Sequence, residues 1–148
     1  MNNVVSERVD DCVRIKLSNR PAYTLTTKVL REVTLALDEA ETSARGIMLC
    51  GGDKFFSNGV DLDWALGQST SGMRTLFLEL GGCILKLMEL SLPIVGVAKG
   101  HAIGGALAML LACDYRYAGT GCVLLGKPEI LLGVPNPYFG DQLLRSEN

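Results

Sequence analysis

The stretch from Pro93 to Asp114 constrains the fold more than any other, because it combines a strand, a glycine-rich turn and a helix without interruption. Pro93 can open a strand, and the residues that follow it are apolar enough to be buried. The paired glycines Gly104 and Gly105 let the backbone turn where a side chain would obstruct it. Residues 106–112 are helix formers without a breaker, so the stretch predicts a strand, a turn and a helix.

The start of this predicted helix is a candidate site. A helix that begins at Gly104-Gly105 leaves its first backbone N–H groups without intrahelical partners and carries the positive end of its dipole there. Such a turn can stabilise a developing negative charge without a charged side chain. The same glycines also suit an ordinary strand-to-helix connection, and this stretch alone leaves both interpretations open.

The chain before this stretch alternates between strand and helix patterns. Residues 12–17 alternate apolar and polar side chains, which predicts a half-buried strand. An amphipathic helical pattern begins near Thr26, and residues 46–50 predict a short buried strand. The segment 53–64 is a second glycine-containing loop that enters a helix. This alternation predicts an α/β layered fold.

Two of the predicted helices have a clear apolar face. The second of them is expected to break in its middle at Gly81-Gly82. Two further strands are predicted at residues 115–118 and 122–125. The apolar positions expected to face the core are Val29, Val33, Leu37 and Ala40 in the first helix and Leu76, Leu80, Ile84, Leu87 and Met88 in the second.

Composition narrows the class of protein. With 148 residues, 48% of them hydrophobic and 20% charged, the chain can bury one core, so we expect one globular domain over residues 1–148. The net charge of -2 and the lack of a basic run argue against nucleic-acid binding. The apolar stretches are too short and too interrupted to cross a membrane, and the N-terminus does not resemble a signal peptide, so we expect a cytoplasmic protein.

The cysteines and the histidine argue against disulfides and metals. Five cysteines are present, an odd number without a CxxC pair, and most lie in apolar runs. They are predicted to be reduced core residues. A single histidine makes a histidine-rich metal centre improbable, and we expect no metal.

Three stretches together resemble one known family. Phe55–Leu62, Pro93–Asp114 and Pro128–Gly133 are similar, in sequence, order and spacing, to the enoyl-CoA hydratase/isomerase or crotonase family. The resemblance extends from about Val13 to Pro135. It implies a spiral of β-β-α units, a coenzyme A thioester as substrate with no other cofactor, and assembly as a homotrimer or dimer of trimers.

The sequence departs from the family pattern in two places. Family members usually continue into further helices that cover the acyl pocket and build the trimer, so we expect this chain to be a fragment or a shortened member. Near the start, Arg20-Pro21 matches the family, but the Lys-Ala-Leu-Asn of many members is replaced by Ala22-Tyr-Thr-Leu25. The resemblance then implies that Ala22 and Tyr23 contact coenzyme A through their backbone.

The resemblance also assigns an oxyanion hole. In the family, two backbone N–H groups hold the thioester oxygen, and here these belong to Val60 and Gly105. Such donors must lie about 3 Å from the oxyanion. The other positions carried over as substrate-binding are Asn58 on the coenzyme side, Leu62 near the acyl chain, Asp61, Gly104, Pro128 and Leu132. Asp61 has a simpler explanation as a helix cap, and Trp64, also near the acyl chain, as ordinary packing.

The catalytic carboxylates of the family distinguish its reactions. Hydratases of the family have two glutamates that position and activate water, whereas this chain has Ala108 at the first position and Glu129 at the second. One carboxylate can move a proton between two carbons, which is what a double-bond isomerase needs. Glu129 could also be a surface or capping glutamate after a proline. Residues 133–139 resemble the ending of the single-glutamate isomerases, so we predict a 3-enoyl-CoA to 2-enoyl-CoA isomerase.

Two other functions stay open at this point. A hydratase or another crotonase-type enzyme could draw a second polar group from Asp61, Asp63, Glu79 or His101. A non-catalytic acyl-CoA-binding member could keep the loops and lack the chemistry. Product analysis with both substrates separates the three.

Overall fold

A computed structural model describes residues 2–133 together with Tyr138, Gln142 and Arg145. Its strands are β1 (Val4–Val9), β2 (Cys12–Leu17), β3 (Gly46–Cys50), β4 (Phe55–Ser57), β5 (Ile94–Ala98), β6 (His101–Ile103), β7 (Tyr115–Ala118) and β8 (Leu125–Gly126). Its helices are α1 (Thr27–Ser43), α2 (Leu62–Leu66), α3 (Thr70–Glu89), α4 (Gly105–Leu111) and a 3-10 helix at Pro128–Leu132. The predicted α/β class is confirmed.

The larger sheet has five strands in the order β1-β2-β3-β5-β7. The pair β1–β2 is antiparallel, and the other neighbours are parallel. The alternation predicted for β2 is confirmed, because Ile15 and Leu17 are fully buried while Lys16 is exposed. Strand β1 has no such pattern, since only Val4 is buried, and pairing with β2 defines it.

Helix α1 begins where the sequence predicts. The Thr26 hydroxyl accepts a hydrogen bond from the Val29 N–H at 3.3 Å and caps the helix. All four predicted core positions of α1 are buried. Ion pairs connect α1 to α3. Arg31 Nε of α1 lies 2.7 Å from Glu79 Oε1 of α3, and Lys86 of α3 binds Asp38 and Glu41 of α1. These pairs fix α1 and α3 as one layer.

Helix α3 differs from its prediction in two respects. It runs without interruption from Thr70 to Glu89, so the predicted break at Gly81-Gly82 is wrong. Each glycine costs a helix about 1 kcal/mol, and the buried leucines on both sides outweigh that cost. Met88, predicted to face the core, is 57% exposed, whereas the other four predicted positions are buried.

The smaller sheet has three parallel strands in the order β4-β6-β8. Its middle strand corrects the prediction for the central stretch, because β6 lies between the predicted strand β5 and the predicted helix α4. The strand predicted at residues 122–125 is also shifted, since β8 is only Leu125–Gly126. Such short strands exist through pairing with distant partners, which local patterns do not show.

The cysteines divide into two groups. Cys83 and Cys113 are buried as predicted, and burial raises the pKa of each thiol to about 12. The core prediction is wrong for Cys12 and Cys122, which are exposed, and Cys50 is half-buried. All five are free thiols. Among the described residues, no helix is both long and apolar enough to cross a membrane.

Candidate functional site

The small sheet brings three distant segments of the chain together. Strand β4 leads into Asn58-Gly59-Val60, β6 into Gly104-Gly105, and β8 into Lys127-Pro128-Glu129. Because parallel strands place their carboxyl ends at one edge, these three segments meet there. Each contains residues that the sequence singles out.

The loop after β4 touches the start of α4. Gly59 has a φ of +79°, and a β-carbon there would lie 2.5 Å from the Ile103 carbonyl oxygen and 3.8 Å from the Gly105 nitrogen. A side chain at this position would therefore collide with β6. The fully buried Ser57 hydroxyl accepts the Gly59 N–H at 3.1 Å and fixes the turn.

The direction of the Val60 amide follows from its neighbours. Leu25 N–H donates to the Gly59 carbonyl at 2.7 Å, and Asp61 N–H donates to the Leu25 carbonyl at 3.0 Å. These two bonds form a parallel bridge between Leu25 and Val60. In such a bridge the central residue points its own N–H away from the partner strand. The Val60 N–H is thus turned away from Leu25.

The turn after β6 offers a second amide. The Gly104 N–H donates a hydrogen bond to the Gly126 carbonyl at 2.8 Å and is therefore not free to bind a ligand. Gly105 is the first residue of α4, so its N–H lies ahead of the intrahelical bonds. A β-carbon at Gly105 would lie 3.0 Å from Leu80 Cδ2 and 3.6 Å from Leu25 Cδ1, which makes the surroundings of this amide apolar.

Glu129 lies against the same turn. A β-carbon at Gly104, whose φ is +57°, would lie 3.0 Å from Glu129 Oε1. The other carboxylate oxygen, Oε2, is buried and has no hydrogen-bond partner among the described residues. A buried carboxylate oxygen without a protein partner is available to a ligand, so the arrangement combines a proton acceptor with nearby backbone donors.

Comparison with known proteins places this geometry in a family. The profile of the enoyl-CoA hydratase/isomerase family matches residues 7–147. The chain belongs to this family. The probable enoyl-CoA hydratase of Bacillus subtilis is 33% identical over 146 residues, covering 96% of this chain and 56% of the relative. The human peroxisomal bifunctional enzyme is 33% identical over 132 residues, covering 88% and 17%.

Solved structures agree with the fold of this family member. The enoyl-CoA hydratase from Bacillus anthracis has a TM-score of 0.89 at 27% identity, covering 97% of this chain and 57% of that structure. The chain thus spans about half the length of its hydratase relatives or less. Both hydratases and bifunctional enzymes are among the relatives, so the likeness shows the family and not the isomerase reaction.

Other predicted site residues of this family member are placed as follows. Asp61 caps α2, since Oδ1 accepts the Trp64 N–H at 3.0 Å and Oδ2 accepts the Thr24 hydroxyl at 2.9 Å. Leu62, the next residue, is 48% exposed, and Trp64 is half-buried against the core. The simpler explanation of Asp61 as a cap is confirmed.

The coenzyme positions lie beside the first loop. The Ala22 carbonyl accepts the Asn58 N–H at 3.0 Å, and the Asn58 residue is exposed. Tyr23 has a φ of +54° and a buried side chain, so its ring packs inside. Pro128 opens the 3-10 helix. The Leu132 side chain lies outside the described part of the structure, as do residues 134–137 and Phe139 of the tail.

Two of the alternative polar groups already have partners. Glu79 pairs with Arg31, and the His101 ring nitrogen Nδ1 accepts the Leu124 N–H at 2.9 Å. Asp63 is exposed on α2, and Ala108 is buried on α4. Sequence reasoning missed Ser57, although its hydroxyl two residues before a glycine is the usual signal for a local side-chain turn.

Proposed function

We propose that this chain isomerises 3-enoyl-CoA to 2-enoyl-CoA. The observation that carries the proposal is the position of Glu129, whose carboxylate lies against Gly104 with one buried oxygen unpaired among the described residues. Ala108 stands where the hydratases of the family have their other glutamate. One carboxylate beside two backbone donors fits proton transfer between carbons better than activation of water.

The proposed mechanism uses the groups at the sheet edge. The Val60 and Gly105 N–H groups hold the thioester oxygen, and the Glu129 carboxylate removes a proton from C2. The electrons move into a dienolate whose negative oxygen is stabilised by the two donors, each worth about 3 kcal/mol in the transition state. The same carboxylate returns the proton to C4, which leaves the double bond between C2 and C3. This proton transfer consumes no water, metal ion or cofactor.

A hydratase is the second candidate because several relatives carry that name. Hydration needs a water held and polarised between two groups. Of the polar groups considered from the sequence, Asp61 and Glu79 are bound elsewhere, and His101 has one ring nitrogen occupied. The described residues therefore supply one free carboxylate at the turn, and this favours the isomerase.

The substrate class and assembly are proposals that rest on the family. An acyl-CoA thioester is the expected substrate, and a homotrimer or dimer of trimers is the expected assembly. A cytoplasmic location also remains a prediction, and the relatives include peroxisomal enzymes.

Product analysis tests the proposal. The protein is incubated separately with a 3-enoyl-CoA and a 2-enoyl-CoA, and the products are separated by chromatography. We expect 2-enoyl-CoA from the first substrate and no 3-hydroxyacyl-CoA from either. Glu129→Gln should reduce turnover by at least about 1000-fold while acyl-CoA binding persists, and Asp63→Asn, which neutralises an exposed carboxylate on α2, should leave turnover unchanged.

Each other outcome contradicts a defined part of the proposal. Hydration of 2-enoyl-CoA by the unmodified protein would replace the isomerase with the hydratase. Binding without either product would favour the non-catalytic acyl-CoA-binding member. Near-normal turnover of Glu129→Gln would remove this residue as the base.

A further inference from the structure

We propose that His101, in its neutral form, is a positioning residue. It keeps the Glu129 carboxylate at a fixed position relative to the Gly105 N–H donor. This inference rests on the proposed function, because it assigns those two groups to one reaction. The chain has no other histidine, so its effect can be isolated.

His101 links all three strands of the small sheet. It is the first residue of β6, three positions before Gly104. Its ring meets the Phe55 ring of β4 edge to face, with 5.4 Å between centroids and 67° between planes. Its Nδ1 accepts the Leu124 N–H at 2.9 Å, immediately before β8.

The bond to Leu124 controls where Glu129 lies. Strand β8 contains only Leu125 and Gly126, and the chain reaches Glu129 three residues later. The Ala102 N–H holds the Leu124 carbonyl at 3.0 Å, so the two bonds at Leu124 set the entry of β8 onto β6. A shift of this short strand would move the carboxylate relative to Gly104 and the oxyanion donors.

The bond also fixes the protonation state of the ring. An Nδ1 that accepts an N–H carries no hydrogen, so the neutral ring has its hydrogen on Nε2. An imidazolium would direct an N–H at the Leu124 N–H and lose the bond.

Two variants separate the roles of the ring and its nitrogen. His101→Phe keeps an aromatic ring against Phe55 and removes the acceptor, whereas His101→Asn removes the ring and offers an amide oxygen near the position of Nδ1. At pH 8 we expect His101→Phe to lose about five- to tenfold in kcat with KM changed less than about twofold, because small displacements of reacting groups lower the rate. His101→Asn should stay within about twofold of the unmodified protein.

The split between kcat and KM gives a readout that a general loss of packing would not reproduce. Equal kcat values for the Phe and Asn variants at pH 8, or a change in KM as large as the change in kcat for His101→Phe, would overturn the proposal.

Hydrogen exchange separates this inference from the proposed function. The Gly104 N–H donates to the Gly126 carbonyl at 2.8 Å and reports whether β8 is seated on β6. We expect its exchange to be about tenfold faster in His101→Phe than in His101→Asn at pH 8. Equal exchange would refute the positioning role even if the protein is an isomerase. Faster exchange in a protein without isomerase activity would keep the positioning role and refute the function.

Discussion

Replacing Gly104 with alanine tests the contact on which the proposed chemistry depends. The new β-carbon would lie 3.0 Å from Glu129 Oε1, closer than carbon and oxygen normally approach. The carboxylate must therefore move by a few tenths of an ångström or more. Because Oε1 is the far end of a flexible side chain, this displacement should cost little stability and should be detected mainly in turnover.

Two effects of Gly104→Ala must be separated. With a φ of +57° and a ψ of -122°, Gly104 has a backbone conformation that alanine rarely adopts, and this should lower the free energy of unfolding by about 1–3 kcal/mol. For a domain of this size, that corresponds to a decrease in Tm of about 3–9 °C. The displaced carboxylate should reduce kcat by about 10- to 100-fold, because misplacement of a reacting group by up to 1 Å costs about that much.

Gly133→Ala is the matched control. Gly133 has a φ of +66°, but a β-carbon there would meet nothing within 4 Å. Both positions have a positive φ that strains an alanine, while the contact with Glu129 is missing at Gly133. We expect a lower Tm for both variants in thermal unfolding and a loss of kcat only for Gly104→Ala. Wild-type turnover in folded Gly104→Ala, or equal loss of turnover in Gly133→Ala, would refute the inferred contact.

Three further predictions concern the oxyanion amides, the pairing of Glu41 with Lys86, and the thiols. Gly105→Ala should lower turnover more than Val60→Ala, because its methyl group crowds Leu80 at the oxyanion amide whereas Val60 is proposed to act through its backbone; equal damage would point to a side-chain role. Bonds to Lys86 lower the pKa of Glu41 to about 2 from 4.5, so this contribution to stability is present above about pH 4.5 and lost toward pH 2. Lys86→Met should lose less stability over that range in acid titrations followed by circular dichroism, and an unchanged profile would contradict the pairing. The two buried cysteines, whose pKa is about 12, should resist alkylation at pH 8 while the two exposed ones react, as counted by mass spectrometry.

The sequence predicted those strands and helices in which the spacing of apolar side chains itself marks the buried face. The alternation around Ile15 and the helical spacing from Val29 to Ala40 both correspond to buried faces. The uninterrupted α3 could not be predicted in this way, because the preference of Gly81-Gly82 against helix is local while the packing that outweighs it is tertiary.

The candidate site likewise has parts that the sequence indicated and parts that it did not. The resemblance indicated Val60, Gly105 and Glu129, and the structure brings their segments to one sheet edge, although their roles remain proposals. The bond between His101 and Leu124 joins residues far apart in sequence, and no spacing rule indicates it. The sheet that gathers the site consists of strands of two or three residues, too short for periodicity to reveal.

The order of the three strands in the small sheet has a consequence for how binding and turnover can be separated. Strand β6 lies between β4 and β8, so the outer two strands each pair with β6 and not with each other. In the proposed mechanism, β6 is therefore the common reference for both halves of the chemistry. A displacement of β8 would move the base and leave the two oxyanion donors in place, so acyl-CoA binding could persist in a protein that has lost turnover.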